Sequence, residues 1–128
     1  MTYIDSSVLL GYLLAEARTP SAAFWGSGLV SSRLLEYEVW NRLHARQAAA
    51  SRGDEARALL SGIELLELDR AVLARALEPW PIPIRTLDAL HLATVDYVRR
   101  QGELVELASY DNRLLAAARA LAIPVAAL

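Results

Sequence analysis

Thr2-Tyr-Ile-Asp-Ser-Ser-Val-Leu-Leu10 holds the strand-to-helix turn on which the rest of the chain is patterned. Tyr3 and Ile4 read as a short buried strand. Asp5 and two serines halt it, and Val8 to Leu14 runs on as an apolar segment of helix length. A strand that ends in Asp and turns into a helix leaves the carboxylate beside backbone N–H groups that lack intrahelical partners. Three later places set another acid at, or just past, such a turn.

Working outward, Thr19-Pro-Ser21 starts a short helix, Ala22 to Trp25, which Gly26-Ser-Gly28 stops. Leu29-Val-Ser-Ser32 reads as the next strand. Ser32 then caps a helix from Arg33 to about Ala49, whose Leu35, Val39 and Leu43 recur at i, i+4 and i+8. Ser51-Arg-Gly53 is expected to break that helix, and Asp54 to cap a short one from Glu55 to Leu60. Ile63 to Leu68 alternates as a strand, and Asp69 precedes a helix from Arg70 to Leu77. Pro79-Trp-Pro-Ile-Pro83 excludes helix and central strand, so it is a loop inside the domain. Thr86 is expected to cap a long helix, Leu87 to about Arg100, closed by Gly102. Leu104 to Ala108 is a strand, Asp111 caps a helix from Asn112 to Leu121, and Ile123-Pro-Val125 is a last short strand.

This alternation predicts an α/β fold in which a central, mostly parallel sheet is covered on both faces, with residues 1–128 forming one domain. In such a fold the strand C-termini and helix N-termini share one edge, where ligands bind near a change in strand order. The apolar fraction of 55% argues against disorder. Cys is absent, so disulfides and thiolate metal sites are excluded, as suits a reducing, cytoplasmic compartment. The longest apolar run, Val8 to Ala15, is far short of the ~20 residues of a membrane span. No membrane association and no signal peptide are expected. The net charge of −2 gives no general attraction to nucleic acid or anionic lipid. All 13 basic residues are Arg, which removes every mechanism that needs a lysine.

Asp5, Glu38, Asp88 and Asp111 would meet on that shared edge. Singly, each has an ordinary reading: Asp5 and Asp111 as N-caps, Asp88 as an acid complementing a helix dipole, Glu38 as a solvated helix residue. Together they would repel and raise one another's pKa unless an arginine or a bound cation sits among them. An all-oxygen acidic cluster without Cys is the donor set that hard Mg²⁺ or Mn²⁺ selects. Such a site can activate water and neutralise charge on a phosphodiester.

Tyr3-Ile-Asp5-Ser-Ser-Val-Leu, the Ser32–Glu38 stretch, Arg85-Thr-Leu-Asp88-Ala-Leu-His91-Leu-Ala and Ser109-Tyr-Asp111-Asn-Arg113-Leu resemble the ordered motifs of PIN-domain ribonucleases. The likeness is greatest to VapC-type toxins of bacterial toxin–antitoxin pairs. It implies a three-layer α/β/α fold and a Mg²⁺- or Mn²⁺-dependent endoribonuclease. It also implies a homodimer held inactive by a cognate antitoxin. By that resemblance Asp5, Glu38, Asp88 and Asp111 form the acidic quartet, with Asp5, Asp88 and Asp111 on the metal. Ser7 matches a small hydroxyl that orients a carboxylate or a water.

Glu36 and Glu38 lie about 200° apart on a helix, so one rim cannot easily use both. Matching Ser32 to the family's serine favours Glu38. Asp96 lies ~12 Å along the helix from Asp88, too far to share a metal, and reads as a surface residue. His91 could bridge to Asp88 but reads better as a satisfied, half-buried helix residue. Arg42 and Arg46 follow Glu38 at helical spacing, which suits an ordinary Glu38–Arg42 pair more than RNA contact. Arg113, at a helix start beside the site, is the candidate for binding RNA phosphate. Trp25 and Trp40 read as core or dimer contacts, Trp40 from a helix that faces the sheet, and Trp80 as a possible base-stacking platform. Two other classes remain. An aspartyl-phosphate phosphatase or receiver domain would also end its first strand in Asp, but it wants a lysine, and a phosphatase wants a second Asp where Ser7 stands. The other is a catalytically silent module that has kept the fold.

Overall fold

Successive residues of a strand face opposite ways, and both directions are dry for Tyr3 and Ile4, which enter two separate apolar clusters. Leu29 and Val30 divide between the same two clusters, as do Ala108 and Leu107. Strands buried on both faces belong inside a parallel sheet layered by helices. The computed structural model describes residues 1–128 and has that form. Its order is β1 (Thr2–Ile4), α1 (Ser6–Leu13), a 3₁₀ turn (Ala22–Gly26), β2 (Leu29–Ser32), α2 (Leu34–Ala45), α3 (Ala49–Ser61), β3 (Ile63–Leu66), α4 (Arg70–Ala76), α5 (Thr86–Arg100), β4 (Glu106–Ala108) and α6 (Asn112–Ala120).

All four strands are parallel, in the order β3-β2-β1-β4. Thr2 stands opposite both Leu29 and Glu106, which fixes β1 in the middle. Residues of α1, α2 and α3 (Val8, Leu9, Leu35, Val39, Ala56, Leu60) cover one face. Residues of α5 and α6 (Leu92, Val95, Leu114, Ala118) cover the other, and α4 packs on α5. Each fully buried Leu or Val contributes roughly 1.5–3 kcal/mol, so the two clusters supply the driving force for the layering. No helix is long and apolar enough to cross a membrane.

The expected helix from Arg33 to Ala49 ends early. It closes in a Schellman turn: Gln47 takes a left-handed φ of 54°, Ala48 N–H bonds Leu43 O, and Gln47 N–H bonds His44 O. The presumed breaker Ser51-Arg-Gly53 lies inside α3 instead. Gly53 is there for closeness, since a Cβ on it would stand 3.1 Å from Trp40 Cη2. Trp40 therefore packs against α3 and under the Arg57 guanidinium, at the margin of the core as expected. α5 starts at Thr86 with no side-chain cap, β3 stops at Leu66, and β4 begins only at Glu106. The last strand reduces to one bridge, Leu107 to Val125, because Pro124 lacks the N–H that would extend the ladder.

The strand order reverses between β1 and β4, and Asp5 and Asp111 lie just past the ends of those two strands. A second glycine brings the loop after α1 to the same place. A Cβ on Gly11 would stand 2.6 Å from the Arg18 carbonyl oxygen, which is backbone and cannot turn aside. Ala is the better helix former by about 1 kcal/mol, but overpacking against fixed backbone costs about 1–3 kcal/mol. Gly11→Ala is therefore expected to lower the Tm by a few degrees in thermal unfolding; an unchanged or raised Tm would show that the Arg18 segment yields freely.

Candidate active site at the edge of the sheet

Asp5 leaves β1 in extended backbone and becomes the N-cap of α1. Its Oδ1 accepts the Ser7 backbone N–H (3.1 Å) and the Ser7 hydroxyl (2.6 Å), and its Oδ2 accepts the Ser109 hydroxyl (2.7 Å). Those hydroxyls accept in turn: Ser7 Oγ from Tyr110 N–H (2.8 Å), Ser109 Oγ from Asp111 N–H (2.9 Å). Two serines thus clamp a carboxylate that is 5% exposed and tie the start of α1 to the turn after β4. Burial holds the Asp5 carboxyl above the usual aspartate range, against the lowering effect of both serines. Ser109 is a site residue that the motif contained but sequence reasoning left without a role. Its place two residues before Asp111, mirroring Ser7 two after Asp5, was the available signal.

Asp5, Glu38, Asp88 and Asp111 all line one cavity of about 410 Å³, together with Ser7, His91, Arg18 and Arg42. Glu38 reaches it from α2, Asp88 from the first turn of α5, and Asp111 as the N-cap of α6, its Oδ1 accepting the Arg113 N–H (2.9 Å). Glu36 turns elsewhere, bonding Arg33 at 3.0 Å. Asp96 is removed from the site. It is part-buried, not a free surface residue, and pairs with Arg75 (2.8 Å) and Arg100 (3.4 Å).

His91 is a satisfied helix residue, as expected, but its burial and its partner differ. It is 2% exposed, not half-buried, and its partner is Glu38, not Asp88. Its Nε2 lies 2.5 Å from Glu38 Oε1, and its Nδ1 lies 2.8 Å from the Tyr3 hydroxyl. The bond to His91 also takes the place of the expected Glu38–Arg42 pair. Arg42 forms no ion pair and lines the cavity; Arg46 and Arg113, exposed as Arg42 is, do not line it. Arg18, on which the sequence offered no periodic signal, stacks on Tyr110 (4.8 Å) and donates to Tyr110 O (2.8 Å). Trp80 is no free platform: the Arg75 guanidinium covers its ring at 3.9 Å. Trp25 packs edge-on against Tyr12 and Phe24.

Five carboxylates (the four above and Glu16) face two arginines here. Burial, and then repulsion from Asp111, raises the Asp88 carboxyl above its usual range. Hard oxygen donors crowded around one cavity fit a hard divalent cation. As placed, no three of these side chains form a closed ligand set. Mg²⁺ does not demand one, because it keeps several waters and is commonly held by one or two carboxylates. The donor chemistry therefore fits such an ion.

The model of the PIN domain matches residues 2–121. Among curated proteins, ribonuclease VapC47 of Mycobacterium tuberculosis (strain CDC 1551 / Oshkosh) is 33% identical, over 93% of this chain and 90% of that one. Ribonuclease VapC35 of the same strain is 32% identical, over 99% and 96%. Ribonuclease VapC46 of strain ATCC 25618 / H37Rv is 33% identical, over 98% and 95%.

Burial works against charge on the His91 ring, but Tyr3 and Glu38 outweigh it and push the pKa from 6.5 up to about 10. The folded state thus binds this proton more tightly than the unfolded chain does. The stabilisation is complete below pH 6.5 and is lost as pH rises through about 10. Chemical denaturation of wild type and His91→Leu at pH 6, 8 and 10 should show the stability gap narrowing stepwise. A gap that holds constant would mean the ring is neutral throughout.

Proposed function

Because the chain belongs to the PIN-domain family and aligns along nearly its whole length with VapC ribonucleases, we propose that it is a Mg²⁺- or Mn²⁺-dependent endoribonuclease. The observation that carries this reading is the meeting of Asp5, Glu38, Asp88 and Asp111 around one cavity. An ion held by Asp5, Asp88 and Asp111 would supply Lewis-acid neutralisation of the phosphodiester and a more acidic water. The protein's own groups do the rest. Arg42 and Arg18, at the cavity wall, hold the phosphate oxygens. Glu38 orients the attacking water and takes its proton. The water oxygen bonds to phosphorus as the bond to the 3′ oxygen breaks, leaving a 5′-phosphate and a 3′-hydroxyl that takes its proton from solvent.

By the same reading the chain is the toxin of a toxin–antitoxin pair, with RNA as substrate, a cognate antitoxin as inhibitor and a second copy as dimer partner. No observation favours phosphoryl transfer onto Asp5: the chain has no lysine to neutralise a phosphoryl group, and Ser7 stands where a phosphatase would place its second Asp.

Purified protein is expected to cut RNA only with Mg²⁺ or Mn²⁺ present, and Asp88→Asn to cost more than the roughly 10–100-fold typical of outer-shell changes. Charge on Asp88 costs the metal-free fold stability at neutral pH, since its raised pKa means the folded state loses ground as pH rises through that value. Without metal, Asp88→Asn should therefore melt higher than wild type, and added Mn²⁺ should stabilise wild type more than the variant. Metal-independent cleavage, or equal metal shifts in both proteins, would overturn the reading. Separately, Arg42→Ala should weaken RNA binding and reduce the steepness of its salt dependence by about 0.7, the contribution of one phosphate contact on a single strand; Arg113→Ala should leave both unchanged.

A further inference from the structure

Asp5 and Asp111 are held by the caps they form, but Glu38 sits inside α2 with a long, rotatable side chain and no cap to fix it. What fixes it comes from the opposite layer. His91 of α5 reaches past the end of the sheet to put Nε2 at 2.5 Å from Glu38 Oε1. Tyr3, fully buried in the central strand, meets the other ring nitrogen at 2.8 Å and lies edge-on to the ring. Glu38 Oε2 has no partner in the protein, and Glu38 lines the cavity.

The direction of the Glu38 bond does not depend on charge. A carboxylate only accepts, so Nε2 carries the hydrogen whether the ring is neutral or protonated. Tyr3 adjusts instead, donating to a neutral ring and accepting from a protonated one. A buried imidazole with both nitrogens engaged cannot turn without leaving polar atoms unpaired.

We propose that His91 is the positioning residue of Glu38. Aligned by Tyr3, it holds the carboxylate at the cavity wall with one oxygen free to take a proton from the attacking water. The proposal rests on the endoribonuclease reading for the use of that oxygen, and on geometry alone for the holding.

His91→Leu is expected to lower kcat roughly 10–100-fold, the range for groups that orient a functional ligand, with little change in KM. His91→Gln, whose amide N–H can stand near Nε2, should recover most of the loss, and Tyr3→Phe should lose less than His91→Leu. The decisive measurement is the cycle with Glu38→Gln. If His91 acts through Glu38, adding His91→Leu to that background costs nothing further in kcat. The same multiplicative loss in both backgrounds would make His91 a plain core residue and overturn the proposal. A second readout needs neither metal nor RNA. The His91 Nε2–H, shielded by its bond, should give a resolved ¹H–¹⁵N signal in wild type that disappears in Glu38→Ala. A protein that cleaves RNA but whose signal ignores Glu38→Ala overturns the positioning alone. A protein that never cleaves, yet loses the signal in Glu38→Ala, keeps the holding and overturns the function assigned to the site.

Discussion

A carboxylate taken out of water costs several kcal/mol unless hydrogen bonds replace its solvent, and the arrangement of this molecule follows from how Asp5 meets that requirement. β1 lies inside the sheet, so its end is flanked on both sides and Asp5 is left only 5% exposed. Three hydrogen bonds from Ser7 and Ser109 offset the loss. Both hydroxyls keep their acceptor side for the backbone of residues 110 and 111. The cost of burying one acid is thereby converted into the placement of a second. Asp111 is where it is because Asp5 is satisfied.

The remaining acids are left in tension, and the tension is local. Elsewhere the chain uses its arginines freely: Arg33 pairs with Glu36 and Glu67, Arg57 with Asp54, Arg75 with Asp96. No arginine pairs with Asp5, Glu38, Asp88 or Asp111, although Arg18 and Arg42 line the same cavity. The exposed pairs, Arg33–Glu67 and Arg57–Asp54, are screened by solvent and stabilise little, so forgoing their like costs little. Burial of Asp88, and then its repulsion from Asp111, raise its pKa and are a cost the fold carries here. Stability yielded at one spot, in a chain otherwise consistent with its fold, is what marks a functional site.

Much of this was legible in the chain because its signals are local. Asp5, Asp69 and Asp111 announced strand-to-helix turns, and each caps its helix through its own carboxylate. The stripe Leu35, Val39, Leu43 identified the buried face of α2 but left both Glu36 and Glu38 at its border, and only the likeness of Ser32 to the family's serine favoured Glu38. What escaped depends on neighbours distant in sequence. Gly53 reads as a breaker in one dimension and as a contact surface once Trp40 is beside it. The end of α2 is set by Gln47 in a conformation that usually advertises itself with glycine. Arg18 lies in an aperiodic loop held by its close approach to Gly11 and its contacts with Tyr110. His91 was misjudged for the same reason: helix spacing relates it to Asp88, three residues away, whereas its partners are 53 and 88 positions distant.

Those long-range partners also explain why the site is rigid where a loop-built one would not be. Tyr3 belongs to the sheet, His91 to the helical layer on one face and Glu38 to the layer on the other. A bond line through all three crosses the end of the sheet and cannot lengthen unless two packed layers move apart. Close-packed interiors resist such motion, because even small gaps forfeit dispersion contacts along their whole lining. The position of Glu38 is therefore set by the thickness of the fold and not by its own rotamer preferences. Asp5 is fixed by strand β1, two residues beyond Tyr3. One three-residue strand and the residue that ends it thus hold both sides of the cavity in register.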